Sequence, residues 1–413
     1  MLINRDIIIT GIQSWNIAIG SNCKNIALEL AKHNRVIYVN PPTDRLSHLR
    51  NPKATQQLKH LERDRKSNLF LQQINTNLWV FQPKIMLESI SRLPFNALFD
   101  FLNRINNDRF AREIKKAIQH LHFTNYIHFC DSDMFRSLHL KELIKPKLSV
   151  YYTRDNLLAV KYWQQQGLRI EPQHMRKADL ILANSTYLAQ LAKRYNAHSF
   201  FVGQGCDTAA FEPHFAFQTP PELNDLPKPL IGYIGALKTL RLDVSVLEYL
   251  AKNRPEWSIV LVGPEDAEFQ KSALHQYKNV HFIGRKEEHE LPECLNALDV
   301  AINPQLINEV TQGNYPRKID EYLAMGKPVV ATKTEAMAYF ADHVFLPQSH
   351  QEWASAIEQA LNTNTPEEVS NRITFATEHT WSNNVREIGR QILLREHSIN
   401  KAKGERSIPE SHL

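Results

Sequence analysis

The feature that most limits what this chain can fold into is an alternation of short apolar runs and helix-like stretches that breaks once and then resumes. Residues 7–10, 36–39, 126–129, 149–152, 180–183 and 199–202 are β-branched or aromatic runs without a polar face, the pattern of strands buried on both sides. Between several of them lie amphipathic stretches. Residues 22–33 place Ile26, Ala27, Leu30 and Ala31 on one helical face, and Ser185 stands as an N-cap before a helix over 186–195. Residues 212–229 then carry Pro213, Pro220, Pro221, Pro227 and Pro229 without a period, and read as a linker. The alternation restarts with strands at 230–234, 258–262, 280–283, 300–303 and 328–332. Helices fit 243–252, 289–297, 318–325 and 351–361. Alternating βα units imply parallel sheets covered on both faces. The expectation is an α/β chain of two Rossmann-like domains facing each other across a cleft, the first over 1–218 and the second over 226–380. A helix at 381–396 is expected to return to the first domain, followed by a disordered tail at 397–413.

No run of about 18 apolar residues marks a membrane span. The N-terminal apolar stretch, interrupted by Asp6, reads as a first buried strand rather than a signal peptide. Four dispersed cysteines, at 23, 130, 206 and 294, argue against a zinc site or a disulfide framework and fit a reducing, cytoplasmic setting. The 18 histidines form no metal-binding pattern, and no metal or other cofactor is expected. Charge is uneven. Residues 1–226 hold 29 Lys+Arg against 19 Asp+Glu, while 227–413 hold 20 against 25. A basic first half suits an anionic partner such as a membrane surface, a lipid diphosphate or nucleic acid; a solvated face is the alternative. Residues 45–66 are rich in Arg, Lys and Gln, and residues 85–120 mix apolar and basic residues at helical spacing. Both are candidates for a cleft mouth or a membrane contact.

The most informative segment is 313–332, which reads as loop, helix, turn and strand. Pro316 suits a helix first turn, and Gly326 with Pro328 ends the helix. Lys318 and Glu321, three apart, share a face near the helix N-terminus, where free N–H groups and the dipole favour a diphosphate. Glu321, an acceptor-only carboxylate, suits the vicinal hydroxyls of a ribose.

This segment resembles a known family. E-Y-L-A-M-G-K-P-V-V over 321–330 is similar to the E-A-M-A-x-G-x-P-V-V block of GT-B glycosyltransferases, especially the GT4-like group. The run 230–236 looks like the strand and glycine loop that open the donor domain of that family. Residues 259–264, 280–284 and 298–304 resemble its following strands; 178–185 and 203–207 resemble first-domain blocks, and 380–386 the start of the last helix. The resemblance implies transfer of a sugar from a nucleotide-sugar to a glycan or lipid-linked acceptor, in cell-surface polysaccharide or glycolipid assembly. It assigns the donor to Gly235, Lys238, Arg241, Gly284, Arg285, Pro316, Lys318 and Glu321. The basic first half and the apolar–basic stretch at 85–120 add an expectation of peripheral membrane contact through the first domain, and no nucleic acid partner is expected. Two departures stand out. The glutamate that many members carry eight positions before Glu321 is here Gly313, with Glu309 out of register. The Gly-Arg of the glycine loop is here Gly235-Ala236. A catalytically silent binding protein and a nucleotide-sugar epimerase are the alternatives, although no G-x-G-x-x-G follows the first strand.

The acceptor is expected at the carboxyl edge of the first sheet, near Trp15, Gly20, Ser21 and Asn22, where open α/β sheets bind ligands. Asp155, following a strand in Tyr-Tyr-Thr-Arg-Asp-Asn, is the candidate general base for an acceptor hydroxyl, with Asp131 and Asp133 competing.

Overall fold

The computed structural model describes residues 1–17, 21–50, 69–211 and 217–406. The chain divides into two compact units, one of Met1–Gly203 with Trp381–Leu413, the other of Gln204–Thr380. In chain order the first unit contains β1 (Asp6–Gly11), β2 (Arg35–Val39), β3 (Thr43–Asp44), β4 (Phe70–Asn75), β5 (Leu78–Gln82), β6 (Met86–Leu87), β7 (Ile127–Asp131), β8 (Leu148–Thr153), β9 (Leu180–Ala183) and β10 (Ser199–Phe201). Eight of these form one sheet in the order β10-β9-β8-β7-β1-β2-β5-β4, and β3 pairs with β6. The pairings are parallel except for β4 with β5, which form an antiparallel hairpin at one edge. The second unit contains β11 (Leu230–Ile234), β12 (Ser258–Val262), β13 (Val280–Gly284), β14 (Val300–Asn303) and β15 (Val329–Ala331), all parallel, in the order β13-β12-β11-β14-β15.

Each sheet reverses direction once, between β1 and β7 and between β11 and β14. The carboxyl ends of strands at such a switch point leave a crevice that neither crossover fills. The strands are apolar throughout because both faces are covered. Ile7 and Ile9 pack on one side of β1 with the helix Asn22–Leu30, and Ile8 on the other with the helix Asn96–His120.

Two expectations are corrected. The units change over at Gly203–Gln204, not within 212–229, because Phe211, Phe217, Leu223 and Leu226 all pack into the core of the second unit. Residues 212–216 lie outside the described residues. The last helix runs Trp381–Arg406 rather than stopping at 396. Ile388, Ile392 and Ile399 pack on the first core, and Glu396 receives Arg5 at 2.7 Å and Lys147 at 3.1 Å. Only 407–413 of the expected tail lie outside the described residues. The edge hairpin β4–β5 is an addition. The 85–120 stretch does contain a long helix, Asn96–His120. Residues 51–66 of the Arg- and Gln-rich segment lie outside the described residues.

Candidate functional site

In the second unit, the crevice at the β11–β14 switch point is a cavity of about 480 Å³. β11 and β14 pair only at Ile231 and Gly232 and then diverge. Where the pairing ends, the Tyr322 hydroxyl takes over. It accepts the Ile234 N–H at 2.9 Å and donates to the Ile234 carbonyl at 3.2 Å. A side chain satisfies the peptide group that a neighbouring strand leaves unpaired.

Tyr322 belongs to the helix Arg317–Ala324, whose Ile319, Asp320, Tyr322 and Leu323 are buried. This turns Arg317, Lys318 and Glu321 toward the cavity, with Pro316 and Tyr315 at the helix entrance. The Lys318 ammonium donates to the Tyr233 hydroxyl at 2.6 Å and lies 3.9 Å from the ring centroid. It also lies beside Gly235, where a Cβ would come within 2.6 Å of it and within 2.9 Å of the Tyr233 oxygen. Gly235 has φ +146, and its carbonyl is so close to Gly263 that a Cβ there would fall at 2.0 Å. The glycine loop is therefore packed backbone to backbone, a geometry that admits glycine alone.

The Glu321 carboxylate accepts from the Arg317 guanidinium at 3.0 Å, an i,i+4 pair on the helix surface. Burial raises its pKa above the ordinary carboxylate value, opposed by Arg317 and Lys318. Lys238 and Arg241 stand exposed on the cavity lip. Their loop is fastened to the opposite rim, with Leu306 N–H donating to the Arg241 carbonyl at 2.8 Å and Asn308 to the Leu240 carbonyl at 2.8 Å. Gly235, Lys238, Arg241, Pro316, Lys318 and Glu321 thus share one cavity. Gly284 and Arg285 are not brought to it. Gly284 ends β13, the edge strand two places from β11, Arg285 follows it, and the Arg285 side chain is 75% exposed. Tyr233, Asn303, Gln305, Asn314 and Arg317 line the cavity and were missed by sequence reasoning. Glu309 instead begins a short helix capped by Asn308 and does not line the cavity.

In the first unit, a cavity of about 350 Å³ opens on the carboxyl side of β1, β2 and β7, lined among others by Ile12, Asp44, Glu88, Asp133, Arg136 and Trp163. Of the competing carboxylates, Asp133 lines this cavity; Arg136 holds it at 2.9 Å, and burial raises its pKa. Asp131 is fully buried, with both oxygens bound by Arg154 at 2.8 and 3.0 Å. Asp155 sits outside the lining at φ +57, half exposed, 3.4 Å from the Arg154 guanidinium. The same Arg154 donates to the Gln13 side-chain oxygen at 2.9 Å, and so does Ser21 at 2.6 Å. Ser21 also caps the helix that Asn22 begins. Trp15 is buried against Tyr38, with Lys24 5.0 Å over its ring. Trp15, Ser21 and Asn22 therefore build the β1–helix turn rather than the cavity wall, and Gly20 lies outside the described residues. The four cysteines are unpaired and buried.

Residues 228–363 match the family model "Glycosyl transferases group 1". The chain is 27% identical over 263 residues to TuaH of Bacillus subtilis (strain 168), provisionally named a teichuronic acid biosynthesis glycosyltransferase. The match covers 59% of this chain and 64% of that relative, just under two thirds of its length. In structure it resembles Anabaena HepE in complex with UDP, with TM-score 0.61, 16% identity and coverage of 94% and 99% of the two chains. It also resembles sucrose-phosphate synthase from Thermosynechococcus elongatus, with TM-score 0.62, 15% identity and coverage of 96% and 100%. Two Rossmann-like units and these neighbours agree on the fold, which is GT-B, and the second unit carries the match to the glycosyl transferases group 1 model.

Proposed function

We propose that this chain transfers a glycosyl group from a nucleoside-diphosphate sugar to an acceptor hydroxyl, and that it serves cell-surface polysaccharide assembly. The observation that carries this reading is the second-unit cavity, where the Gly235 loop, the Lys318 ammonium and the Glu321 carboxylate converge. The arrangement matches the parts of a nucleoside diphosphate. Glu321 accepts from the ribose hydroxyls, while Lys318, Lys238, Arg241 and the N-terminus of the helix Arg317–Ala324 meet the diphosphate. As the glycosidic carbon leaves the diphosphate, these cations stabilise the charge that develops on the departing oxygen, with no cofactor in the reading. Similarity to a UDP-bound structure and to a protein named for teichuronic acid biosynthesis supports the donor class and the pathway class.

The acceptor, a glycan or lipid-linked glycan, is read into the first unit, with Asp155 as the base that takes its proton. The place of Asp155 just past the carboxyl end of β8, half exposed, supports that choice. We further read the enzyme as cytoplasmic and working at the inner membrane face. The charge split supports this, with 35 Lys+Arg against 19 Asp+Glu in the first unit and 14 against 25 in the second.

The test is a calorimetric and thermal-shift screen of UDP, GDP and ADP, followed by donor turnover with the sugar of whichever base binds. A nucleoside diphosphate is expected to raise the unfolding temperature in proportion to its affinity. No binding by any of them would sink the proposal, and binding without turnover on any acceptor would leave only a silent nucleotide-binding protein.

A further inference from the structure

Resting on that reading but tested apart from it, we propose that the N-terminal tip of the helix Asn96–His120, together with the first turns of the helix Lys161–Lys177, is the face that docks the enzyme on an anionic lipid bilayer. Large apolar side chains normally end up inside, and those exposed are normally scattered singly. Here they gather. Phe95 is 70% exposed, Phe101 63% and Leu168 60%, with Leu98, Val160 and Tyr162 also exposed. The two helices lie side by side. Arg169 ion-pairs with Asp100 at 2.8 Å, its guanidinium lies 5.5 Å from the Phe99 ring, and the Gln166 side chain donates to the Leu93 carbonyl at 2.8 Å. Their exposed residues therefore form one surface.

The basic residues in that surface are Arg92, Arg104 and Lys161, all exposed, while Asp100 is already matched by Arg169. Exposed aromatic and aliphatic side chains among cations are what a headgroup–acyl boundary binds. The cations approach anionic headgroups and the apolar groups enter below them. The unit that carries the face has the 16-charge basic excess given by 35 Lys+Arg against 19 Asp+Glu, so long-range attraction favours the same approach.

The face also borders a site. Tyr162 belongs to it and to the wall of the first-unit cavity, which Trp163 and Ser91 line as well. A bilayer touching Phe95, Leu168 and Tyr162 would bring lipid headgroups to the edge of that cavity. The cavity holds Asp44, Asp133 paired with Arg136, and Glu88 paired with Arg45 and Arg109, a set of hydrogen-bonding groups suited to sugar hydroxyls. The bilayer would hold a lipid-linked acceptor while its sugar reached the carboxyl edge of the first sheet, which carries both this cavity and Asp155.

The experiment is flotation of the full chain with vesicles of phosphatidylcholine alone or mixed with phosphatidylglycerol, at low and high salt. Binding is expected only to the mixed vesicles and should weaken with salt. The combined variant Phe95→Ser, Phe101→Ser, Leu168→Ser should bind at least tenfold more weakly. Arg92→Glu, Arg104→Glu, Lys161→Glu should lose on the order of fivefold per charge removed, and more through repulsion. Both variants should keep the parent's circular dichroism and thermal unfolding profile, which shows that the first unit folds, and the parent's nucleotide affinity, which shows that the second does. Parent-like vesicle binding by both variants would overturn the proposal, as would no binding by the parent. Parent dimers that the same substitutions disperse, without vesicle binding, would assign the face to a second copy of the chain instead. Loss of nucleotide binding with flotation intact would count against the donor reading and not against this one.

Discussion

Glu321→Ala removes the carboxylate assigned to the donor ribose, and the structure sets the size of the effect. One oxygen, Oε1, already accepts from Arg317 at 3.0 Å. The second, Oε2, has no hydrogen-bond partner among the described residues and is open to a ligand. A ribose diol would place one hydroxyl on Oε2 and share Oε1 with Arg317. The expected net loss is therefore that of a single charge-assisted hydrogen bond, about 1.5–3 kcal/mol, or roughly ten- to hundredfold in Kd. Calorimetry with a ribonucleoside diphosphate measures it. The control is the 2′,3′-dideoxy form, which the parent and the variant should bind alike, because neither can make the contact. There is also a pH signature. Burial raises the Glu321 carboxyl above the ordinary carboxylate range, so parent affinity should fall on acidification through that raised value, while the variant should not respond. Equal losses for the ribo and dideoxy ligands would refute the assignment and show that the substitution acts through the helix.

Gly235→Ala puts a methyl 2.6 Å from the Lys318 ammonium at a backbone angle that side chains avoid. It should cost about 1–3 kcal/mol of stability in the second unit and weaken diphosphate binding more than nucleoside binding; equal weakening of both would argue against a phosphate loop. Glu171, buried beneath Tyr151, has its pKa pushed up to about 7 by loss of solvation. The native state therefore holds a proton that the unfolded chain releases above its ordinary value. The associated stability is present in acid and lost as pH rises through about 7, to a total of about 3 kcal/mol. Urea denaturation at pH 5 and 8 should show Glu171→Gln relieving most of this loss, and an unchanged slope would contradict it. Asp155→Asn keeps a residue type that tolerates φ +57, so the fold should survive and nucleotide affinity should stay unchanged. Turnover is expected to fall roughly 10²–10⁴-fold, and full activity would pass the base role to Asp133.

The strands of the second unit were legible nearly to the residue, because runs such as Leu230–Ile234 and Ser258–Val262 are continuous apolar segments bounded by glycine and proline. The hairpin β4–β5 was not. Phe70–Asn75 is an edge strand of mixed polarity with no clean alternation, and the apolar run that opens Leu78–Gln82 is only four residues long, too short to stand out by itself. In the site, the helix face carrying Lys318 and Glu321 could be read from spacing. Tyr233 could not, since it looks like one more core residue of β11 until Lys318 is seen resting on it across 85 positions. Gln305 and Asn314 reach the cavity from loops, whose course no periodicity reports. Asp131 and Asp155 look equivalent in sequence. Only the fold commits the first to Arg154 and turns the second outward.

The hydroxyl of Tyr322, lodged on the last peptide of β11, has one further consequence. It sits next to Glu321 in the chain and four residues beyond Lys318, so the end of the strand, the glycine turn that follows it and the start of the helix are locked in step. A ligand cannot pull Glu321 toward itself without tearing a rung from the sheet. On the proposed donor reading, this half of the cavity is a fixed jaw for the parts that all nucleoside diphosphates share. On the same reading, selection among bases falls to the rest of the wall, around Leu291, where substitutions can retune the donor without disturbing the grip.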